Sequence, residues 1–152
     1  MNSITDILAP ERIRLDLAAK RKKQVIFELA ELFRPEVGEE TPGLAKQLFK
    51  REKMSSTGIG HGIAIPHVMT ELVDRTLMAI GRSVHEIPFD SVDNRPVRLF
   101  FLLLGPPGST AAHLKTLSKL SRIVTQASLR EALLEIQDPH EVIELLRSEE
   151  EV

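Results

Sequence analysis

The chain has 152 residues, of which 42% are hydrophobic and 28% are charged, and its formal net charge is −2 at pH 7. This length and balance predict one domain, residues 1–152, with a sizeable core, and the small net charge gives no electrostatic footprint for nucleic acid. The absence of cysteine excludes disulfides and thiolate metal sites.

The first third of the chain predicts one strand followed by two helices. Residues 12–17 alternate between polar and apolar side chains, which is the period of a strand. Residues 20–33 change to a helical period, and the basic run Lys20–Lys23 is interpreted as the solvated first turn of that helix. Residues 35–43 contain two prolines and two glycines, which predicts a loop. Thr41 is expected to cap the second helix, with a proline at its first position.

The remainder predicts a sheet and further helices. Apolar runs at 63–65, 76–84 and 97–104 predict three strands. Leu99–Leu104 is apolar at every position, so its strand is expected to lie centrally in a sheet that is covered on both sides. A helix is predicted from about residue 109 to 126. Its expected inward stripe consists of Leu114, Leu117, Leu120, Ser121 and Val124.

Two capping boxes, which begin at Ser128 and Asp138, predict the starts of two more helices. Together these elements predict a mixed α/β fold with about five helices and four or five strands. The first residues do not match a secretory signal, and the longest apolar run is far shorter than the roughly 20 residues that span a bilayer. We therefore expect a cytoplasmic protein without membrane insertion.

The segment from Ser55 to His67 carries three glycines at alternate positions, a short apolar run, a proline and a histidine. Glycine gives the backbone conformational freedom, and proline fixes φ just before the histidine. His67 is therefore expected at the end of a strand, facing an open site. Imidazole titrates near neutral pH and can act as a base, a nucleophile or a ligand. The alternative is a purely structural histidine at a strand end.

The spacing of the residues supports neither a nucleotide-binding loop nor a metal site. The three glycines do not match the G-x-G-x-x-G pattern, and residues 105–110 lack the lysine of a P-loop. The five histidines form no H-x-x-x-H pair, and the carboxylates do not group at ligand spacing. We therefore expect no bound metal and no other cofactor.

A histidine that accepts a phosphoryl group needs a neutral nitrogen, donors for the phosphoryl oxygens and a cation. A glycine-rich loop can offer backbone N–H groups, and arginine can bind two oxygens at once. His67, the loop at 55–62, Arg51 and His113 could supply these parts, but spacing alone does not bring them together. Taken singly, Arg51 and His113 also fit solvated residues on helices.

The chain resembles the enzyme IIA domains of the bacterial sugar phosphotransferase system, in the mannitol/fructose class. The residues that carry this resemblance are Arg51-Glu52-Lys53, Ser56-Thr57-Gly58-Ile59-Gly60 and Ile63-Ala64-Ile65-Pro66-His67. The resemblance continues at 89–97 and 112–120, and it is closest to the standalone nitrogen-regulatory subfamily. It implies a mixed central β-sheet that is flanked by helices on both faces.

The resemblance also implies a role for each site residue. His67 would accept a phosphoryl group from a histidine phosphocarrier similar to HPr or to its nitrogen-branch relative. His113 would support the site through a hydrogen bond, and Arg51 would balance the charge. The phosphoryl-binding loop would contain Ser56, Thr57 and Gly58, with the two hydroxyls as donors.

Two positions depart from the family pattern. His61 stands where asparagine is usual, and Val68 begins a segment where glycine and lysine commonly follow the histidine. His61 is interpreted either as a modulator, with an extra donor or proton acceptor beside the phosphoryl site, or as an exposed loop residue. Val68 and the missing lysine put the partner specificity in question.

Two functions follow from the resemblance. In the first, the chain is a regulator that binds its target proteins according to its phosphorylation state. The lack of an attached IIB or IIC segment before the end at Val152 favours this function. The alternative is a sugar-specific (fructose/mannitol) enzyme IIA that passes the phosphoryl group to a separate IIB component. Either function makes the chain a phosphohistidine carrier, and the sequence does not decide whether it is an enzyme.

Overall fold

The computed structural model describes residues 3–150, so the outermost two residues at each end of the predicted 1–152 domain lie outside the described residues. In residues 3–150 the structure contains six strands: β1 (Ile13–Leu17), β2 (Gly58–Gly60), β3 (Ile63–Ala64), β4 (His67–Met69), β5 (Leu77–Ile87) and β6 (Val97–Gly105). They form one mixed sheet in the order β1-β5-β6-β3-β2, and β4 also pairs with β6. The pairs β1/β5, β3/β6 and β4/β6 are parallel, whereas β5/β6 and β2/β3 are antiparallel.

Strand β6 occupies the centre of the sheet, as its continuous apolar run predicts. Successive side chains of a strand point to opposite faces, and every side chain from Leu99 to Leu104 is buried. Phe100, Leu102 and Leu104 belong to the core on one face of the sheet. Leu99, Phe101 and Leu103 belong to the core on the other face. The predicted central strand is therefore confirmed.

Helices cover both faces, which confirms the predicted fold class. The helices are α1 (Lys22–Ala30), α2 (Arg34–Val37), α3 (Thr41–Met54), α4 (Thr110–Val124), α5 (Ala127–Glu135) and α6 (Pro139–Glu150). One core contains side chains of α1 and α3, together with the side chain of Phe33 between them. The other core contains side chains of α4, α5 and α6 and of the amino-terminal segment. None of the helices in residues 3–150 has the length and hydropathy that a membrane span requires.

The predicted loop at 35–43 is wrong, because most of this segment is helical. Its residues form the end of the short helix α2, a 3-10 turn at Gly38–Glu40 and the start of α3. Thr41 does not cap α3 with its side chain. Its hydroxyl donates to the carbonyl oxygen of Gly38 at 2.6 Å, so it joins α3 to the preceding turn instead.

The predicted inward stripe of α4 is also wrong at its first turn. Leu114 is 60% exposed, whereas the neighbouring His113 is 5% exposed and packs inward. Of the two predicted capping boxes, the one at Ser128 fails because α5 already begins at Ala127. The helix start predicted at Asp138 is confirmed, since α6 begins at Pro139 and Oδ1 of Asp138 accepts the backbone N–H of His140 at 2.9 Å.

Candidate functional site

His67 is the first residue of β4, which pairs in parallel with the carboxyl-terminal part of β6. Its ring is half-buried, and Nδ1 lies 2.8 Å from the carbonyl oxygen of Ile65. Because a carbonyl oxygen can only accept a hydrogen bond, Nδ1 carries the proton and Nε2 keeps its lone pair. The Nη2 group of Arg51 lies 3.3 Å from Nε2 and donates to it. The structure therefore presents an unprotonated imidazole nitrogen to a guanidinium group.

The surroundings of His67 lower its pKa from the ordinary value of 6.5. Burial is the main cause, because it disfavours the charged ring. The hydrogen bond to Ile65 raises the pKa, the positive charge of Arg51 lowers it, and the carboxylate of Glu52 raises it. The ring is consequently neutral at pH 7, which is the nucleophilic form of imidazole.

His113 lies beside His67, with 5.5 Å between the ring centroids. It stands in the first turn of α4, and neither of its ring nitrogens has a hydrogen-bond partner among residues 3–150. Burial, followed by the proximity of His67, lowers the pKa of His113 to about 4. The ring is therefore neutral at pH 7 and retains one N–H donor for a group that is bound at His67.

The close approach of His113 to the sheet depends on glycine at position 105. A Cβ atom at Gly105 would lie 3.0 Å from Nδ1 of His113 and 3.1 Å from Oγ of Ser109. Both distances are shorter than ordinary van der Waals contacts, so a larger residue would displace the first turn of α4. Gly105 thus gives the second histidine its place near the end of β6.

Arg51 stands in the last turn of α3, and its Nη1 group donates to the carbonyl oxygen of Ser55 at 3.2 Å. This bond holds the guanidinium beside His67. An arginine in this position can bind two oxygens of an anionic group through its planar set of donors. Together, His67, His113 and Arg51 supply a nucleophile, a neutral donor and a cation within one small site.

A buried carboxylate behind the site was missed from the sequence. Glu52 is 2% exposed. Its Oε2 accepts a hydrogen bond from the backbone N–H of Thr57 at 2.7 Å, and its Oε1 accepts one from the Thr57 hydroxyl at 2.6 Å. Nζ of Lys22 lies 3.2 Å from Oε2. Lys22 is thus half-buried and paired, so the basic run at 20–23 is not simply solvated. In the sequence, the only indication that Glu52 belongs near the site is its position directly after Arg51.

The predicted phosphoryl-binding loop is held to the rest of the protein through its hydroxyls. Ser56 Oγ donates to the carbonyl oxygen of Phe89 at 2.6 Å and accepts the N–H of Gly58 at 3.1 Å. The hydroxyl of Thr57 donates to Glu52, as described above. A Cβ atom at Gly58 would lie 2.4 Å from Oγ of Ser91, so this position has no room for a side chain. These contacts fix the shape of the loop beside His67 and leave neither hydroxyl unengaged.

The structure does not bring His61 into the cluster. His61 and Gly62 connect β2 to β3, and both have positive φ, at 59° and 77°. Ile63 lies opposite Leu99 of β6, whereas His67 lies opposite Leu103. The turn is therefore at least four residues, about 13 Å, from the site along β6. The side chain of His61 is exposed, and its role as a modulator stays a prediction.

No group of three or more histidine, aspartate or glutamate side chains in residues 3–150 converges in a way that could hold a metal ion. The site described above likewise contains one carboxylate, Glu52, which is already bonded to Thr57 and Lys22.

Comparison with known proteins gives the same family by sequence and by structure. The model of the family described as "Phosphoenolpyruvate-dependent sugar phosphotransferase system, EIIA 2" matches residues 6–149. A "Nitrogen regulatory protein" of Bradyrhizobium diazoefficiens is 34% identical over 143 residues, which cover 94% of each chain. The crystal structure of the nitrogen regulatory protein IIA-Ntr from Neisseria meningitidis has a TM-score of 0.89 at 37% identity, and the match covers 94% of this chain and 98% of that one.

A sugar-specific relative is similar over almost the same residues. The "PTS system fructose-specific EIIABC component" of Bacillus subtilis is 33% identical over 145 residues. These residues make up 94% of this chain but 23% of the Bacillus protein. The chain thus spans less than a quarter of that relative and nearly the whole length of the Bradyrhizobium protein.

Proposed function

This chain belongs to the EIIA 2 family of the phosphoenolpyruvate-dependent sugar phosphotransferase system, and we propose that it carries a phosphoryl group on Nε2 of His67. One observation carries this proposal. The Nδ1–H group of His67 is bonded to the carbonyl oxygen of Ile65, so the lone pair is at Nε2, next to Arg51. We further propose that residues 1–152 form a single domain of this family.

The phosphoryl group would come from a phosphohistidine on a small HPr-like carrier protein. In this step Nε2 of His67 attacks phosphorus, a new P–N bond forms, and the P–N bond of the donor breaks. The electron pair of the broken bond stays on the donor imidazole. The Nδ1 proton of His67 stays in place, where the carbonyl oxygen of Ile65 stabilises the positive charge that develops on the ring.

Two neighbouring side chains are proposed to hold the transferred group. A phosphoryl group brings a charge of about −1.5 to −2 and three strong acceptor oxygens. Arg51 is proposed to turn from Nε2 to these oxygens and to balance their charge. His113 is proposed to donate its remaining N–H to one of them, since both of its nitrogens lack partners among the described residues. The loop of Ser56, Thr57 and Gly58 keeps its shape through its own hydrogen bonds and borders the group.

We propose that the phosphorylated and unphosphorylated forms bind different partner proteins. The addition of a dianionic group to the half-buried, neutral imidazole of His67 changes the charge of the surrounding surface, which is sufficient to select between partners. The similarity to nitrogen regulatory proteins over nearly their whole length supports this regulatory function. The similarity to a fructose-specific EIIABC component supports the second candidate, transfer of the group to a separate IIB component.

The test is phosphorylation of purified variants by a phosphorylated HPr-like carrier. His67→Ala is expected to accept no label, whereas the matched control His61→Ala is expected to be labelled at the wild-type rate. Label on His67→Ala would overturn the proposal. To separate the two candidates, the phosphorylated chain is mixed with a fructose-class IIB domain. Rapid loss of label to IIB supports the sugar-specific carrier, and retention of label with phosphorylation-dependent binding of a regulatory target supports the regulator.

A further inference from the structure

A groove of about 690 Å³ runs between α1 and α3. We call it the lysine groove. Four lysines line it, Lys23, Lys46, Lys50 and Lys53. Its apolar surface comes from Phe27, Phe49 and Met54. None of these residues belongs to the set that holds His67, Arg51 or the loop at 56–58.

The groove residues of α3 form a second helical stripe on that helix. Positions 46, 49, 50, 53 and 54 follow the spacing i, i+3, i+4, i+7 and i+8, which places them on one face. The inward stripe, with Leu44 and Leu48, is already buried against the sheet. Of its five positions, three are exposed lysines, Phe49 is half-buried against the core beneath, and Met54 is exposed.

Among residues 3–150, no carboxylate balances the charge of the lysine groove. None of its four lysines has a carboxylate oxygen within 4.0 Å in residues 3–150, although the whole chain has a net charge of −2. Lys46 and Lys50 are one turn apart, and Lys50 and Lys53 are three residues apart, so like charges repel along the helix. An anionic partner would relieve this repulsion, and the groove therefore favours a ligand with carboxylates or phosphates.

The apolar surface narrows the choice of ligand. Phe27 and Phe49 are half-buried, and Met54 is 79% exposed, which gives a flexible apolar side chain at one end. Nζ of Lys23 lies 5.8 Å and 5.5 Å from the ring centroids of Phe27 and Phe49, and Nζ of Lys53 lies 5.3 Å from that of Phe49. Because ammonium groups stand over the rings, the ring faces are poor stacking platforms for nucleic-acid bases.

We propose that the lysine groove binds an acidic, amphipathic helical segment of a partner protein. Such a helix would place its apolar side chains against Met54 and against the parts of the two phenylalanine rings that the ammonium groups leave free, with its carboxylates against the lysines on either side. The span from Lys46 to Lys53 is seven residues, about 10 Å along α3, which matches two turns of a docked helix.

The proposal does not depend on phosphoryl transfer, although the two sites are neighbours. Lys53 and Met54 stand in the last turn of α3, the turn that also carries Arg51. A helix in the lysine groove would therefore end close to His67. A partner protein could contact both surfaces at once, but binding of an isolated helix requires only the groove.

The test uses the full chain labelled with ¹⁵N and a synthetic peptide of about 14 residues, rich in glutamate with leucines at helical spacing. A scrambled peptide of the same composition, vesicles with anionic lipid and a thymidine oligonucleotide serve as competing probes. The groove variant carries Lys46→Glu with Lys50→Glu. The matched control carries Lys115→Glu with Arg122→Glu, which changes the net charge equally at exposed positions of α4.

The expected result is binding of the helical peptide about ten-fold more tightly than the scrambled one, with amide shifts confined to α1 and α3. The groove variant is expected to lose about ten-fold in affinity, and Met54→Ser several-fold, while the α4 control binds as the wild type does. Raised salt weakens the binding, because exposed charges are screened. Equal affinity of the groove variant and the control, or preference for vesicles or oligonucleotide over the helical peptide, would overturn the proposal.

Discussion

His67 and His61 belong to the same glycine-rich segment, yet the structure gives them opposite surroundings. His67 begins a strand against the carboxyl-terminal part of β6, where α3 and α4 bring Arg51 and His113 beside it. His61 occupies a two-residue turn, its side chain is exposed, and its backbone N–H donates to Asp93 at 3.0 Å. A histidine acquires a chemical role here through what distant segments bring to it, and not through its own local sequence.

The two regions also differ in what holds their backbones. The loop before His67 is fixed by the buried carboxylate of Glu52, which binds Thr57 and Lys22. The turn at His61 is held by Asp93, a fully exposed carboxylate whose pKa is lowered by backbone N–H groups, that of Arg95 first and then that of His61. Because water competes for the exposed contacts and not for the buried ones, the two regions are expected to respond very differently to matched substitutions.

The largest effect is expected at Glu52. Glu52→Gln keeps the shape of the side chain but removes the charge that pairs with Lys22, and it leaves a buried donor facing the N–H or hydroxyl of Thr57. We expect a loss of about 3 kcal/mol in the free energy of unfolding, measured by urea denaturation. The matched change at the other region, Asp93→Asn, is expected to cost far less. An equal loss for both variants would contradict the difference in burial.

The next effect is expected at Arg51 and concerns rate rather than stability. Arg51→Ala removes the guanidinium that faces Nε2 of His67, and phosphoryl transfer is expected to slow about 100-fold. Arg51→Lys keeps the charge but not the planar pair of donors, so an intermediate rate is expected. Single-turnover labelling measures both rates. A wild-type rate for Arg51→Ala would show that the guanidinium does not act on the transferred group.

The sequence predicts the scaffold better than the contacts that build the site. Leu99–Leu104 is apolar at every position, and its place at the centre of a covered sheet follows from that property alone. Burial of His113 in place of Leu114 depends on the exact rotation of α4, which the apolar spacing did not determine. The ion pair of Lys22 with Glu52 joins residues that are far apart in the chain, and no local pattern reveals such a contact.

The site residues themselves came from the family resemblance. His67, Arg51 and His113 are brought together by the structure, and their roles in phosphoryl transfer stay predictions until the variants are measured. The roles expected for the hydroxyls of Ser56 and Thr57 were inferred without knowledge of their partners. Since those partners, Phe89 and Glu52, lie on other segments or in the preceding helix, spacing within the loop gave no sign of them. Location in the cytoplasm likewise stays a prediction.

A smaller effect is expected when the pH is lowered, because His113 is buried in its neutral form. The pKa of His113 is about 4 in the folded chain and about 6.5 when unfolded, so the unfolded state binds more protons between these values. Stability should therefore fall as the pH is lowered through this window, by about 2 kcal/mol at pH 4.5. His113→Gln is expected to reduce this loss. The control His61→Asn retains His113 and is expected to show the same loss of stability in acid as the wild-type chain. A flat profile for the wild-type chain would contradict the buried, neutral state of His113.

The smallest effect is expected at His61. Positive φ at both His61 and Gly62 is the conformation of a type I′ hairpin turn, for which asparagine followed by glycine is the favoured pair. His61→Asn is therefore expected to raise the free energy of unfolding by about 0.5 kcal/mol and to leave phosphorylation unchanged. Thermal unfolding and carrier-dependent labelling check the two parts. Slower labelling of this variant would assign His61 to the site after all.

The most direct measurement is the position of the phosphoryl group on the histidine rings. The chain is labelled with ¹⁵N at histidine, phosphorylated by the carrier and examined for coupling between ³¹P and ¹⁵N. We expect coupling at Nε2 of His67, with the proton retained on Nδ1 and bonded to the carbonyl oxygen of Ile65. Coupling at Nδ1 of His67, or at any other histidine, would contradict this expectation.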